Sequence, residues 1–382
     1  MPRRRRSSSS SNNEEDRSRS TQGGRRQQSV SRVHRRRDAR SSPEAESTSE
    51  VIVGERSKKK RTEYTPVEEK LRITGRGFGI FYEMWRPYSS IIDKGLEASA
   101  ADPSALPEAD QPYVNAFRDL LAFSTTVKSE IVKEESDKEK IGTLLDTARG
   151  DTKRSHASAV KISIGDWHHF SPGLSKKSSS PRGWDHDECA RLLCPPTIEW
   201  NEANKQGLRD PVTRKQFELG PGEFPRFLWA GETMDDIDPT IGFLRHPILF
   251  AALRHFAISP SSGVDAGTNM STKFRYARLC GIKHVTIESI AYAATMVRFG
   301  LSSDKRFSAT TSFSYKDMYY NIINFTKAFS EAQVQQLLIS WDREVFVSTR
   351  AGDGLENEDP EPNSLAARLT RQVELLRAQQ SQ

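Results

Sequence analysis

The sequence predicts an all-α fold: a single helical domain with long loops, flanked by a disordered basic N-terminal tail and a short C-terminal amphipathic helix. Three observations carry this. Apolar residues between 88 and 346 recur at three- and four-residue spacing, the period of helices with one buried face. Alternating apolar and polar runs, which would mark half-buried strands, are sparse. Residues 1–61 contain no Phe, Trp, Tyr or Leu, so they cannot build a core.

The tail is read as 1–63. Residues 1–61 hold 18 Lys+Arg of the chain's 57 and 8 Asp+Glu of its 51, leaving 39 against 43 beyond them. The net charge is therefore +10 on residues 1–61 and −4 on the remainder. A segment with so little apolar surface cannot offset the entropy of ordering. The domain is read as 64–347, with Tyr64, Leu71, Ile73 and Phe78 as its first anchors and Gly75-Arg-Gly-Phe-Gly79 as a flexible entry.

Tyr88–Ser99 follows as a helix with Ile91, Ile92 and Leu96 on one stripe. Tyr113–Phe123 reads as a second, and Val127–Ala148 as a highly charged third. Ser155–Trp167 reads as a further one, through Val160 and Ile164. Residues 184–240, rich in Pro, Gly and Trp, read as a loop packed across the helices. Pro247 suits the first position of a helix. Thr286 caps Ile287–Phe299, with Gly300 as the expected stop. Tyr315–Phe329 and Glu331–Phe346 close the domain. An acidic linker, 348–363, leads to 364–382, where Leu365, Leu369, Val373 and Leu376 make a short amphipathic helix suited to docking on a protein partner.

Several classes are excluded or weakened. No Gly-x-Ser-x-Gly elbow and no phosphate loop with Lys-Ser/Thr occurs. No apolar run is long enough to span a bilayer, so no membrane association is expected. Three cysteines, Cys189, Cys194 and Cys280, fit reduced thiols rather than a disulfide framework. Their spacing allows one metal hypothesis. His186-x2-Cys189-x4-Cys194 and Cys280-x3-His284 supply thiolates and imidazoles of the kind zinc takes in a tetrahedron. Against it, free cysteines commonly serve as small buried apolar groups, and the simpler expectation is no cofactor. His168-His169 beside Asp166 suggests acid–base work, or a solvated helix C-cap. Asp235, Asp236 and Asp238 make an acidic cluster of the kind that holds a divalent cation, against the simpler reading of a solvated loop with an N-cap at Asp238.

The tail carries the clearest partner signal. Lys58, Lys59, Lys60 and Arg61 match a short nuclear-import cluster. Arg3, Arg4, Arg5 and Arg6 with Arg35, Arg36 and Arg37 add basic runs of the kind that hold nucleic-acid phosphates through counterion release. Lys273-Phe-Arg-Tyr-Ala-Arg278 interleaves aromatics with cations, either to stack bases or as core rings with outward-reaching Arg heads.

One ordered series of motifs stands out: His186-Asp-Glu-Cys-Ala-Arg-Leu-Leu-Cys-Pro195, Phe224-Pro-Arg-Phe-Leu-Trp229, Ile258-Ser-Pro-Ser-Ser262, Gly281–Ser303 and Trp341-Asp-Arg-Glu-Val-Phe346, with Ile91–Leu96 ahead of them. It resembles an uncharacterised domain family abundant in mushroom-forming basidiomycete fungi, over roughly residues 80–347. The resemblance implies no catalytic residue, because the family has no established activity. His168-His169 stands where that family usually has a bulky apolar residue after the tryptophan. The expectation is a non-enzymatic, nuclear binding module that associates with nucleic acid or chromatin through its tail. The alternatives are a protein-interaction or mobile-element-derived structural protein, located in the cytoplasm, and an enzyme using the Cys/His loops.

Overall fold

The computed structural model describes residues 63–100, 107–133, 135–175, 181–217, 219–258, 276–308 and 313–350. The chain is all-α. Among the described residues there are twelve α-helices and no strand, only an isolated bridge between Trp229 and Phe243.

Helix α1 (Pro66–Phe81) starts at a reciprocal cap. Thr65 Oγ1 accepts the Glu68 N–H at 3.2 Å, and Glu68 Oε2 accepts the Thr65 N–H at 2.9 Å. Gly75, Gly77 and Gly79 therefore lie inside a helix, and the flexible entry expected there is corrected. Glycine costs a helix interior about 1 kcal/mol, but here it permits close approach. A Cβ on Gly75 would sit 2.5 Å from the Leu145 carbonyl oxygen, and one on Gly79 would sit 2.6 Å from Arg149 Cγ. Both partners belong to α5 (Lys138–Trp167), along which α1 lies.

The charged segment divides differently from the expected Val127–Ala148 and Ser155–Trp167. Helix α4 (Thr125–Val132) ends before a break, and α5 begins where the Asp137 side chain accepts the Lys140 N–H at 2.8 Å. No second break follows. Residues 149–154 stay helical because their side chains are anchored. Arg149 donates to the carbonyls of Glu83 (3.3 Å) and Arg86 (2.6 Å), and Lys153 donates to that of Met84 (3.1 Å). At 1.5 Å per residue, the 30 residues of α5 span about 45 Å.

That length carries α5 through two apolar cores. Ile141 and Leu145 join a smaller one with Phe78, Tyr88, Ile92 and Phe117, contributed by α1, α2 (Tyr88–Ala100), α3 (Gln111–Phe123) and α4. Val160 and Ile164 join the larger one. The larger core is built around α10 (Ile287–Leu301), in which every residue from Ser289 onward is buried. Around it pack the second half of α5, α6 (Asp187–Leu193), α8 (Pro247–Ala257), α11 (Tyr315–Thr326) and α12 (Glu331–Arg350). The short α7 (Glu202–Arg209) and α9 (Tyr276–Leu279) sit in the connections.

Thr286 caps α10 as expected, its Oγ1 accepting the Ser289 N–H at 3.1 Å. Gly300 is not the stop. It lies within the helix, where a Cβ would meet Val160 Cγ2 at 2.7 Å and Ile164 Cδ1 at 2.8 Å. The helix ends instead at Ser302. There Arg182 donates to the Gly300 carbonyl at 2.9 Å and Lys161 to that of Ser302 at 2.5 Å. These donors satisfy carbonyls that a helix C-terminus leaves open. The aromatic-rich loop packs across the helices, burying Phe227, Leu228, Trp229 and Phe243.

Helix α12 runs to Arg350, three residues past the expected domain end. The rest of the linker 348–363, the segment 364–382, the tail with its Arg3–Arg6, Arg35–Arg37 and Lys58–Arg61 clusters, and Ser259–Gly263 lie outside the described residues. No helix of the described residues is long and apolar enough to cross a membrane.

Candidate functional site

The histidines and cysteines proposed for zinc are engaged in separate places. His186 is the buried N-cap of α6. Its Nδ1 accepts the Cys189 N–H at 3.3 Å, and its Nε2 donates to the Pro172 carbonyl at 2.7 Å. Both ring nitrogens are thereby used. Cys189 is fully buried in the larger core, and burial pushes its thiol up to about 12. Cys194 closes α6 with Sγ 3.5 Å from the Pro195 carbonyl, its pKa also raised by burial. Cys280 lies against α1, with Sγ 3.8 Å from the Ile73 carbonyl, and burial raises it to about 11. His284 is exposed and pairs with Asp342 at 2.8 Å. The structure gives these Cys and His residues separate contacts: Cys189 and Cys194 are buried, Cys280 is partly buried against α1, and the two imidazoles hold different partners.

The acidic loop behaves as a turn. Asp235 Oδ1 accepts from the backbones of Ile237 (2.9 Å) and Asp238 (2.8 Å), and Asp238 Oδ1 accepts the Thr240 N–H at 2.9 Å. No helix follows Asp238, so its expected N-cap role is corrected to a loop contact.

A different cluster forms where α5, α6 and α8 meet the loop 230–246. His168 takes the extended backbone that ends α5, and its ring turns inward. Its Nε2 lies 2.8 Å from Glu188 Oε1, on the first turn of α6. One helical turn on, Arg191 forks across two carboxylates. It donates Nε and Nη2 to Glu188 at 3.2 and 2.5 Å, and Nη2 to Glu232 Oε1 at 3.1 Å, while Nη1 pairs with Glu232 Oε2. Glu232 holds a left-handed backbone, φ 59°, which only a well-determined contact set sustains in a non-glycine residue. His246, the N-cap of α8, places Nε2 3.5 Å from Glu232 Oε1.

The loop is fixed by Ala230 N–H to the Gly242 carbonyl at 2.9 Å and by Trp229 Nε1 to the Pro239 carbonyl at 3.0 Å. Burial alone would raise the Glu188 carboxyl. Hydrogen bonds from Arg191 and His168 overcome that and hold it below its usual range. Burial, aided by the nearby His168 and Arg191, pushes His246 down to about 4, so this ring is neutral at physiological pH. Beside His168, residues 165–170 and Gly173 line an open depression of about 500 Å3.

Among the described residues, His168, Glu188 and Glu232 are the group of three metal-competent side chains whose ligand atoms lie within 4.8 Å of one another. In the sequence, His168-His169 read as a solvated cap or an acid–base pair with Asp166. His168 does sit at the cap position, but its ring is directed to Glu188. The i, i+3 spacing of Glu188 and Arg191 is visible in the sequence. Nothing there links them to Glu232 or His246.

Residues 147–346 match a family of unknown function, DUF6698. The chain belongs to this family. The DUF6698 match agrees with the resemblance to an uncharacterised family and contains the whole cluster. It begins inside α5 and leaves out α1 to α4. No curated protein and no solved structure matches the chain.

Proposed function

We propose that this chain is a non-enzymatic nuclear binding module, whose basic tail holds nucleic acid or chromatin without sequence preference. The observation that carries the reading is the separation of charge: net +10 on residues 1–61 and −4 on the rest. A cationic segment poor in apolar residues binds phosphate backbones by releasing counterions. The helical body offers less for that purpose. Its Arg149 and Arg182 are spent on carbonyls, and its Arg191 on carboxylates. Of the interleaved stretch Lys273–Arg278, Tyr276 packs against His156 at 6.0 Å between ring centres, which favours a packed ring at that position over a base-stacking one.

The test is binding of nonspecific duplex DNA by the full chain and by a chain lacking residues 1–61, over a salt series. Binding should weaken steeply with salt and disappear with the tail. Binding that persists without the tail would move the site to the body. Nuclear localisation should likewise fail when Lys58–Arg61 are replaced by Ala.

A second reading, a protein-interaction or mobile-element-derived structural role, is favoured by two exposed apolar residues on one loop. Ile237 is 95% exposed and Ile241 58%. Cytoplasmic location of the tagged chain would support it.

A further inference from the structure

We propose that His168, Glu188 and Glu232 bind one divalent transition-metal cation of the zinc class, with His246 positioning Glu232 and with Arg191 occupying the position until the cation displaces it. The set is mixed imidazole and carboxylate, which suits zinc and its neighbours better than calcium or magnesium. Zinc bonds of about 2.0–2.1 Å place tetrahedral ligand atoms about 3.4 Å apart. The three ligand atoms already lie within 4.8 Å of one another, across three separate elements. Closing them around a cation needs movements of about 1 Å, within the reach of side-chain rotation.

The second observation is His246. It is 4% exposed, and its Nδ1 accepts the Ile248 N–H at 3.2 Å. That contact fixes the proton on Nε2 and removes His246 as a ligand. Nε2 lies 3.5 Å from Glu232 Oε1, too far for a good hydrogen bond. An imidazole this near a carboxylate without a short contact to it leaves that carboxylate room to move. Hydrogen-bonded carboxylates of this kind orient metal ligands. Arg191 carries one positive charge against two carboxylates, and its side chain is 30% exposed, so it can leave to water. On loading, Nε2 of His168 binds through its lone pair, with the ring proton carried on Nδ1.

The test uses the untagged full chain titrated with Co2+ as the visible probe, then with Zn2+ in competition. Expected is one Co2+ per chain, displaced by Zn2+, with no sulfur-to-metal charge-transfer band. His168→Asn, Glu188→Gln and Glu232→Gln should each weaken binding at least tenfold. His246→Asn keeps an N-cap acceptor but cannot reach Glu232, and should weaken it about tenfold. Arg191→Gln should bind several-fold tighter. Where a variant fails to fold, the wild-type Tm decides: it should rise with Zn2+, and a Tm unmoved by saturating Zn2+ overturns the site. So would Co2+ binding unaffected by the three ligand variants, a thiolate band, or no tightening in Arg191→Gln.

Discussion

Two glycines give opposite predictions at the scale of one residue. Both lie inside helices, so replacing either with Ala gains helix propensity. At Gly150 a new Cβ has only Arg154 Nη1 at 3.9 Å, an ordinary contact. Gly150→Ala should stabilise by about 0.5–1 kcal/mol. At Gly300 the Cβ collides with Val160 and Ile164 at under 3 Å. Gly300→Ala should cost about 1–3 kcal/mol from overpacking. Denaturant unfolding of the two variants checks both signs. Glu288, on the first turn of α10, predicts a pH effect. Burial, with Asp119 and Glu83 nearby, pushes its carboxyl up to about 7 from 4.5. The folded chain then keeps a proton that the unfolded chain has released between about pH 4.5 and 7, so the contribution of Glu288 to stability is fully present below that window and is lost as pH rises through it. The loss is on the order of 1–3 kcal/mol. Glu288→Gln should flatten that slope in melts across the window, and an unchanged slope would refute the assignment. Little of this was legible in the sequence. Glycine reads as a breaker until the neighbouring helix that requires it is known.

Helix termini were the more legible features. Thr286 and Pro247 follow from local chemistry, since a cap and a fixed φ act within one turn. Thr286 does more than cap: its hydroxyl also donates to the Phe81 carbonyl at the end of α1. Thr286→Ala should therefore lower stability by about 1–2 kcal/mol, near the upper end for a missing cap, whereas Thr286→Ser should recover most of it. Thermal melts of the pair separate the hydroxyl from the methyl group. Helix continuity was less legible. The stretch 149–154 carries Arg, Gly, Asp, Thr and Lys and reads as a break. It is helical because Arg149 and Lys153 reach the backbone of residues 83–86, more than sixty positions earlier. The candidate site failed to appear for the same reason: Glu232 and His246 meet His168 only through tertiary packing.

At the scale of the whole molecule, the family match and the fold do not share a boundary. The match starts at residue 147, partway along α5. Ile80, Phe81 and Met84, all ahead of it, are buried in the larger core. Burying three such side chains contributes on the order of 5–9 kcal/mol, comparable to the total stability of a domain. A fragment limited to 147–346 should consequently fail to give a cooperative melt, while 63–350 should melt cooperatively. A cooperative melt of the shorter piece would show that the first helices are dispensable. Replacing Lys58–Arg61 with Ala should reduce the salt slope of DNA affinity by about 0.9 for each phosphate that the variant no longer neutralises.

The two cores along α5 are also optically unequal. All six tryptophans, Trp85, Trp167, Trp184, Trp200, Trp229 and Trp341, lie outside the smaller core, which holds tyrosine and phenylalanine instead. Indole emission is thus blind to that core, whereas far-ultraviolet dichroism sees the helices of both. If the shared helix ties them into one cooperative unit, the two signals will trace the same denaturation curve. If the smaller core lets go first, ellipticity will fall while the emission still reports a folded protein.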